Sequence, residues 1–205
     1  MADKGHSKGY IARIINTGRA AVNHAWKNGE LAAPVYFVPA SVPKHGVAPR
    51  GKLLSTEDCV ALFAAIQTAH LMRFCLLLVG TLARPGALLE LHTRQLDFDH
   101  GLIHLNPEWR EQTKKYRPTV KMPVFLRNAL EPLPAGNVVS GNSAPFKSVK
   151  KAFRATRTRA GLEATVTPYS FRHTLTRWLR SRSVPAWEVA AQLGHRAPGT
   201  STTEI

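Results

Sequence analysis

Hydrophobic side chains recur at helical spacing in several separate segments of the chain. Over residues 7–28 an apolar residue falls at every third or fourth position, and Gly29 then ends the pattern. A second helical segment begins at Ser55, which forms a capping-box pattern with Asp58. A third, more apolar segment covers 70–79. The pattern therefore predicts three helices within residues 7–79.

Proline and glycine interrupt the apolar pattern between the first helix and the second. The stretch 34–52 contains four prolines and two glycines among basic residues, and no period survives in it. Such a composition is typical of an inter-domain linker. We therefore predict a partial helical domain over 1–40, a linker over 41–54 and a main domain over 55–205.

The period shortens to two residues in the middle of the chain. Leu96 and Phe98 alternate, a turn follows at 99–101, and 103–105 is expected to pair back, with 120–124 as a closing strand. Further helices are predicted over 85–91, 125–130, 146–160, 170–182 and 185–193, with a loop over 132–145. The result is a mostly α domain with one small antiparallel sheet, an α+β fold.

The net charge of the chain indicates which class of molecule it binds. Twenty-eight lysines and arginines against 13 acidic residues leave a net charge of +15. Such an excess favours nucleic acid as the partner, whereas the alternatives are a charge that serves solubility or an anionic membrane surface. The chain opens without the apolar core of a signal peptide, and its longest apolar run is too short to cross a membrane. We therefore expect a cytoplasmic protein without a membrane partner.

The motifs of several enzyme classes are missing from the sequence. No glycine-rich nucleotide loop, nucleophile elbow or zinc-protease motif occurs, and the nine histidines lack metal-ligand spacing. Cys59 and Cys75 lie far apart in apolar segments and are expected to be small buried side chains. We therefore expect neither a bound metal nor another cofactor.

Basic side chains stand at the points where predicted elements begin or end. They are Arg84 at a helix start, Lys114 and Lys115 at the hairpin tip, Arg172 and His173 one turn into a helix, and His195 after a helix-ending glycine. A guanidinium donates two parallel hydrogen bonds to phosphate oxygens, and two arginines on one phosphate would stabilise a pentacovalent phosphorane. Each of these residues taken alone could equally be an ordinary surface cation.

Four short segments in a fixed order carry a family resemblance. They are TLARPGALLEL at 81–91, TPYSFRHT at 167–174, LGH at 193–195 and STT at 201–203. With a hairpin lysine between the first two, they resemble the tyrosine recombinases, or phage-type integrases. The resemblance covers about 54–205 and implies that family's catalytic-domain fold. Residues 7–40 are similar to the end of its helical core-binding domain.

The resemblance implies a role for each of the basic residues. Arg84 and Arg172 would clamp the non-bridging oxygens of the scissile phosphate, and His195 would hydrogen-bond the phosphate and assist proton transfer. Lys115 would protonate the leaving 5′ oxygen, and it is preferred to Lys114 for its distance to the next strand. In the family a tyrosine forms a 3′-phosphotyrosyl bond, so neither metal nor ATP is needed.

Two substitutions depart from the family pattern. Leu82 stands where the first segment usually has glycine, a change expected to alter only packing. Tyr169 stands where the second usually has histidine; its phenol can donate a hydrogen bond to phosphate but is a poor proton acceptor at neutral pH.

The nucleophile is the third departure. It would follow 201–203 almost immediately, and none of the four tyrosines, at positions 10, 36, 116 and 169, lies in that context. We expect a C-terminally incomplete catalytic domain that holds a phosphate without cutting DNA.

Double-stranded DNA is the expected partner, with a homo-tetramer on DNA for the full-length protein. The cations expected to contact DNA are Lys114, Arg117, Lys147, Lys150, Lys151, Arg154, His173 and Arg177. Two alternatives to a recombinase of a phage or other mobile element remain. One is a non-catalytic DNA-binding protein such as a degenerate integrase. The other is a binder that reads the major groove with a helix–turn–helix-like pair, 170–182 and 185–193.

Overall fold

The chain divides into two compact units, Met1–Pro49 and Arg50–Ile205, which we call the N-terminal and C-terminal units. A computed structural model describes residues 6–36, 52–113, 115–141 and 144–195. The predicted linker falls mostly outside the described residues, as do Lys114 and the STT segment at 201–203. The proposed boundaries at 40 and 54 stay predictions.

The N-terminal unit contains one described helix, α1 at Lys8–Lys27. Ser7 caps it, because its hydroxyl accepts a hydrogen bond from the Tyr10 backbone N–H at 3.3 Å. Gly29 follows the helix with φ of +76°, a conformation that glycine adopts without strain. The predicted first helix and its glycine stop are confirmed.

Seven helices lie in the described part of the C-terminal unit. They are α2 Thr56–Ala64, α3 Ala69–Thr81, α4 Pro85–Leu89, α5 Val124–Leu130, α6 Lys150–Arg159, α7 Pro168–Ser181 and α8 Ala186–Gln192. The predicted capping box of α2 is present, with Asp58 N–H donating to Ser55 Oγ at 3.1 Å. The prediction was wrong about the start of α6, since Phe146 precedes that helix by four residues and packs its ring on His70.

A three-stranded antiparallel sheet follows α4, in the order β1 Leu96–Asp97, β2 Leu102–His104 and β3 Thr119–Lys121. Ile103 pairs with Leu96 on one side and with Val120 on the other, which places its side chain in the core. Gly101 turns the first hairpin with φ of +64°. The predicted small antiparallel sheet is confirmed. A two-stranded pairing of β4 Ser140–Gly141 with β5 Ala144–Pro145 was not predicted, because two residues carry no period.

Helix α3 is the centre of the main core. Its fully buried side chains include Phe74, Cys75, Leu77 and Leu78, and the helix packs against α4, α5 and α7. Burial raises the pKa of the Cys75 thiol to about 12, so it stays protonated and packs as a small apolar side chain, as predicted. Cys59 is only half-buried. Among the residues that the structure describes, no helix is both long enough and apolar enough to cross a membrane.

Leu82 anchors a smaller apolar cluster where α3 ends. It packs with Val189 and Leu193, around which Leu175 and Leu179 of α7 are arranged. Leu82 itself has φ of +53°, a left-handed conformation that costs a branched residue about 1–2 kcal/mol. Burial of its side chain offsets that cost. We expected leucine at this position to alter only packing. Leu82 also has a strained backbone conformation in the turn that leads to Arg84.

Candidate phosphate-binding site

Arg84 is held at the start of α4 by the turn that follows α3. It is the N-cap residue of α4, and Pro85 supplies the fixed φ and missing N–H that suit the first helical position. The half-buried Arg84 side chain donates a hydrogen bond from Nη1 to the backbone carbonyl of Tyr116 at 2.8 Å. A loop residue between β2 and β3 thus fixes the orientation of this guanidinium.

Arg172 lies on the buried side of α7, with 7% of its surface exposed. Its guanidinium donates from Nη1 to the carbonyl of Leu82 and from Nη2 to the carbonyl of Leu193 at 2.6 Å. The side chain is therefore clamped between the end of α3 and the end of α8. Burial, and secondly the charge of Arg84, lower its pKa to about 10, so it remains charged at neutral pH.

The two guanidinium groups have no acidic partner among the residues that the structure describes. None of the ion pairs formed by the described residues involves Arg84 or Arg172. Arg84 makes the charge of Arg172 less favourable, and no carboxylate among the described residues pairs with either of the two positive charges. A buried charge that only carbonyl oxygens solvate is stabilised further by an anion, and perturbed groups of this kind cluster at functional sites.

His195 stands at the edge of the same arrangement. His195 directly follows Gly194, and its backbone N–H donates to the Ala190 carbonyl at 2.9 Å. Its ring is exposed. Nε2 lies 3.4 Å from Arg172 Nη2, so an Nδ1-protonated neutral ring can accept from the arginine. Partial burial, followed by the charges of Arg172 and Arg84, lowers the pKa of His195. The free site therefore holds a neutral imidazole at pH 7.

Removing one arginine should raise the pKa of His195. In Arg84→Gln the ring loses a neighbouring positive charge, so protonation costs less and the titration midpoint moves to higher pH. NMR titration of the His195 ring measures the shift, with Arg177→Gln as the matched control because exposed Arg177 is not among the charges that act on His195. An unchanged midpoint in Arg84→Gln would show that the two side chains are electrostatically independent.

A small cleft joins these groups, and we call it the arginine cleft. Arg84 and Arg172 line it together with the loop residues Tyr116, Arg117 and Pro118. Two predicted site residues, Arg84 and Arg172, thus share the cleft, and His195 contacts Arg172 without lining it.

Lys115 lies elsewhere in the same loop. It is exposed and does not line the arginine cleft, whereas the three residues that follow it do. Its backbone N–H donates to Thr113 Oγ1 at 3.3 Å, which keeps the tip of the loop compact. The β2–β3 loop thus lies beside Arg84 and Arg172, and Lys115 directly precedes Tyr116, which lines the cleft.

A wider groove of about 750 Å³ lies next to this region, and we call it the basic groove. Its lining comes from α4, α6 and the start of α7, including apolar Leu89, Val149 and Phe153. Four of the cations predicted to contact DNA are on its walls: Lys147, Lys150, Lys151 and Arg154. Tyr169, the second residue of α7 and 49% exposed, also lines it, three residues before Arg172.

Two further predicted DNA contacts lie outside the cleft and the groove. His173 and Arg177 are exposed on α7 and line neither. Arg117 was predicted to contact DNA; in the structure its side chain is 12% exposed and its Nη1 lies 2.7 Å from Glu90 Oε2. Burial in an ion pair does not suit a direct DNA contact.

Glu90 was missed at the sequence level. It is the C-cap residue of α4, and it pairs with Arg117 of the cleft wall. A carboxylate at the C-terminal end of a helix is electrostatically unfavourable without a cation nearby. An acidic residue at this position therefore predicts a cation nearby, although the sequence does not show which cation pairs with Glu90.

Comparison with known proteins identifies the family of this chain. The sequence profile of the phage integrase family matches residues 52–204, which is most of the chain. No curated protein matches the chain at a significant level.

Solved structures share the fold at low sequence identity. The XerA recombinase in a crystal structure is 19% identical to this chain in sequence, with a TM-score of 0.61. The match covers 95% of this chain and 70% of the XerA chain. The Tn1549 transposon integrase in complex with circular intermediate DNA is 19% identical with a TM-score of 0.69, covering 97% and 75%. A lambda integrase dimer bound to a COC′ core site is 16% identical with a TM-score of 0.71, covering 100% and 78%.

Proposed function

Because the chain belongs to the phage integrase family, we propose that it is a site-specific DNA recombinase whose arginine cleft holds the scissile phosphate. The observation that carries the proposal is the pair formed by Arg84 and Arg172. Both are positioned by backbone carbonyls and neither has a carboxylate partner among the described residues. Such an arrangement suits a phosphodiester that gains negative charge in the transition state.

The chemistry assigns one step to each side chain. A tyrosine oxygen attacks phosphorus, the bond from phosphorus to the 5′ oxygen breaks, and a 3′-phosphotyrosyl bond and a 5′ hydroxyl result. Arg84 and Arg172 would stabilise the non-bridging oxygens, and His195, neutral in the free site, would hydrogen-bond one of them and take up the proton that the tyrosine hydroxyl loses. Lys115 would give its proton to the departing 5′ oxygen, and Tyr169 would donate a hydrogen bond to the phosphate. Ligation is the reverse reaction with a different strand.

The basic groove supplies the proposed path for the DNA backbone. Lys147, Lys150, Lys151 and Arg154 are all exposed, and no ion pair of the described residues neutralises them. Pro85, which follows Arg84 in the chain, and Tyr169, three residues before Arg172, both line this groove. Binding of several phosphates along this path would make affinity fall steeply with salt.

Assembly on DNA belongs to the same proposal. The solved relatives include a lambda integrase dimer bound to a core site and a lambda integrase tetramer bound to a Holliday junction. We extend this to a homo-tetramer of the full-length protein on paired sites, in the role of a phage or mobile-element integrase. The proposed division is a partial core-binding domain over 1–40, a linker over 41–54 and the catalytic domain from residue 55.

A non-catalytic protein that occupies DNA sites is the second candidate. It is favoured by Tyr169 in place of the usual histidine and by the exposed position of Lys115 outside the cleft. A helix–turn–helix-like reader has less support, since α8 contains Glu188 and no lysine or arginine to enter a major groove.

Covalent capture of DNA separates the two candidates. The target site is first selected from random duplexes by binding to the chain. The protein is then assayed on a nicked suicide substrate bearing that site, with the tyrosine supplied by the codons downstream of Ile205 or by a grafted tyrosine-bearing segment. We expect a denaturation-resistant protein–DNA adduct, which is lost when the added tyrosine is changed to phenylalanine. Specific binding without an adduct would instead support the non-catalytic candidate.

A further inference from the structure

The two residues that cap α4 hold consecutive residues of the lysine-bearing loop. At the N-terminal end of α4, Arg84 Nη1 donates to the Tyr116 carbonyl at 2.8 Å. At the C-terminal end, Glu90 Oε2 lies 2.7 Å from Arg117 Nη1. One short helix therefore fixes the loop at two adjacent points, immediately after Lys115.

The loop is braced internally at the same place. The side chain of Gln112 donates from Nε2 to the Arg117 carbonyl at 2.9 Å and accepts from the Arg117 N–H at 3.2 Å. These two hydrogen bonds close a tip that contains Thr113 and Lys115. Thr113 Oγ1 in turn accepts from the Arg110 guanidinium at 3.1 Å and from the Lys115 N–H at 3.3 Å. The position of Lys115 is thus tied to that of Arg117.

Glu90 is in an unusual place for an anion. Among the ion pairs of the described residues, it supplies the only carboxylate bound to a residue that lines the arginine cleft. A negative charge beside a phosphate site opposes phosphate binding, so its presence calls for a compensating role. Arg117 Nη1 is fully buried and has no hydrogen-bond partner among the described residues, so the charge of Glu90, 2.7 Å away, is the contact that stabilises it there.

We propose that Glu90 is a positioning residue for Lys115: it anchors Arg117, and through the Gln112 brace it holds the lysine-bearing tip beside the arginine cleft. The inference rests on the proposed function, in which Lys115 protonates the leaving 5′ oxygen. Glu90 does not touch the phosphate in this account. It lowers the freedom of the loop, so that Lys115 approaches the oxygen in a productive geometry.

Two DNA substrates distinguish positioning of the acid from a general structural role. In the first the leaving atom is the ordinary 5′ oxygen, and in the second a sulfur replaces it at the bridging position. A thiolate leaves without a proton because thiols are far more acidic than alcohols, so the sulfur substrate does not need Lys115. Glu90→Gln should therefore slow adduct formation on the oxygen substrate about tenfold or more, and leave the rate on the sulfur substrate unchanged.

The experiment uses the tyrosine-bearing protein of the covalent-capture assay. Glu131→Gln is the matched control, since Glu131 forms a looser, exposed pair with Arg127 at 4.0 Å and should change neither rate. Combining Glu90→Gln with Arg117→Met should slow the oxygen substrate no further than the slower single variant, because both changes remove the same anchor. Thermal melting checks that each variant folds.

The outcomes separate this inference from the proposed function. Equal slowing of both substrates by Glu90→Gln, or no slowing of either, would overturn the positioning role. If Lys115→Ala itself fails to show a loss confined to the oxygen substrate, the assignment of Lys115 as the acid is wrong. If the tyrosine-bearing protein with no other change forms no adduct on either substrate, the proposed function fails.

Discussion

Changing Arg172 to alanine should lower covalent adduct formation by about a thousandfold or more, while DNA affinity falls by less than about tenfold. The expectation follows from the buried position of this guanidinium, which is fixed by the Leu82 and Leu193 carbonyls before any DNA arrives. A preorganised cation acts mainly on the charge that develops in the transition state. Ground-state DNA binding, in contrast, is spread over many phosphate contacts.

The Arg172 variant needs controls for folding, because its loss leaves two carbonyls without their donor and should cost about 1–3 kcal/mol of stability. Arg172→Lys keeps a positive charge but cannot reach both carbonyls with a planar fork, and it should also lose most adduct formation. Arg177→Ala is the matched control, since Arg177 lies exposed on the same helix. Near-normal adduct formation by folded Arg172→Ala would refute the phosphate-clamp assignment.

Changing Gly194 to alanine should strongly destabilise the C-terminal unit. Gly194 has φ of +65°, and a Cβ there would lie 2.6 Å from the Tyr116 carbonyl oxygen and 2.8 Å from Pro118 Cδ. The contact is with backbone, so the β2–β3 loop must move. Because Arg84 donates to that same carbonyl, the substitution should disturb Arg84 as well as the loop. We expect a loss of about 2–4 kcal/mol of unfolding free energy.

Gly161→Ala isolates the contribution of backbone conformation. Gly161 has φ of +69°, but a Cβ at this position would meet no atom within 4 Å, so alanine should cost only about 1 kcal/mol there. Urea unfolding measures both variants, and the difference between them reports the close approach of the loop. Equal losses at the two glycines would mean that the loop does not press on Gly194.

Local signals allowed most of the fold to be predicted from the sequence. The Ser55 capping box, the glycine after α1 and the turn at Gly101 each depend on residues within four positions of one another. The start of α6 was placed four residues early because Phe146 is apolar at helical spacing but packs on His70 instead. Periodicity does not distinguish a helical residue from an apolar residue that precedes the helix.

The candidate site could be predicted only in part. Arg84, Arg172 and His195 were recognised from their segments, and their side chains meet in the structure. The contacts that position them involve backbone atoms, such as the Tyr116 carbonyl, which sequence patterns do not reveal. The pairing of Arg117 with Glu90 joins residues far apart in the chain, and it removed one expected DNA contact from the surface.

A crystal structure of the chain bound to its selected duplex tests the central claim most directly. The account predicts that the guanidinium groups of Arg84 and Arg172 lie within hydrogen-bond distance of the non-bridging oxygens of one and the same phosphate, with His195 beside it. Contacts from the two arginines to different phosphates, or a duplex bound on another face with the arginine cleft turned away, would contradict it.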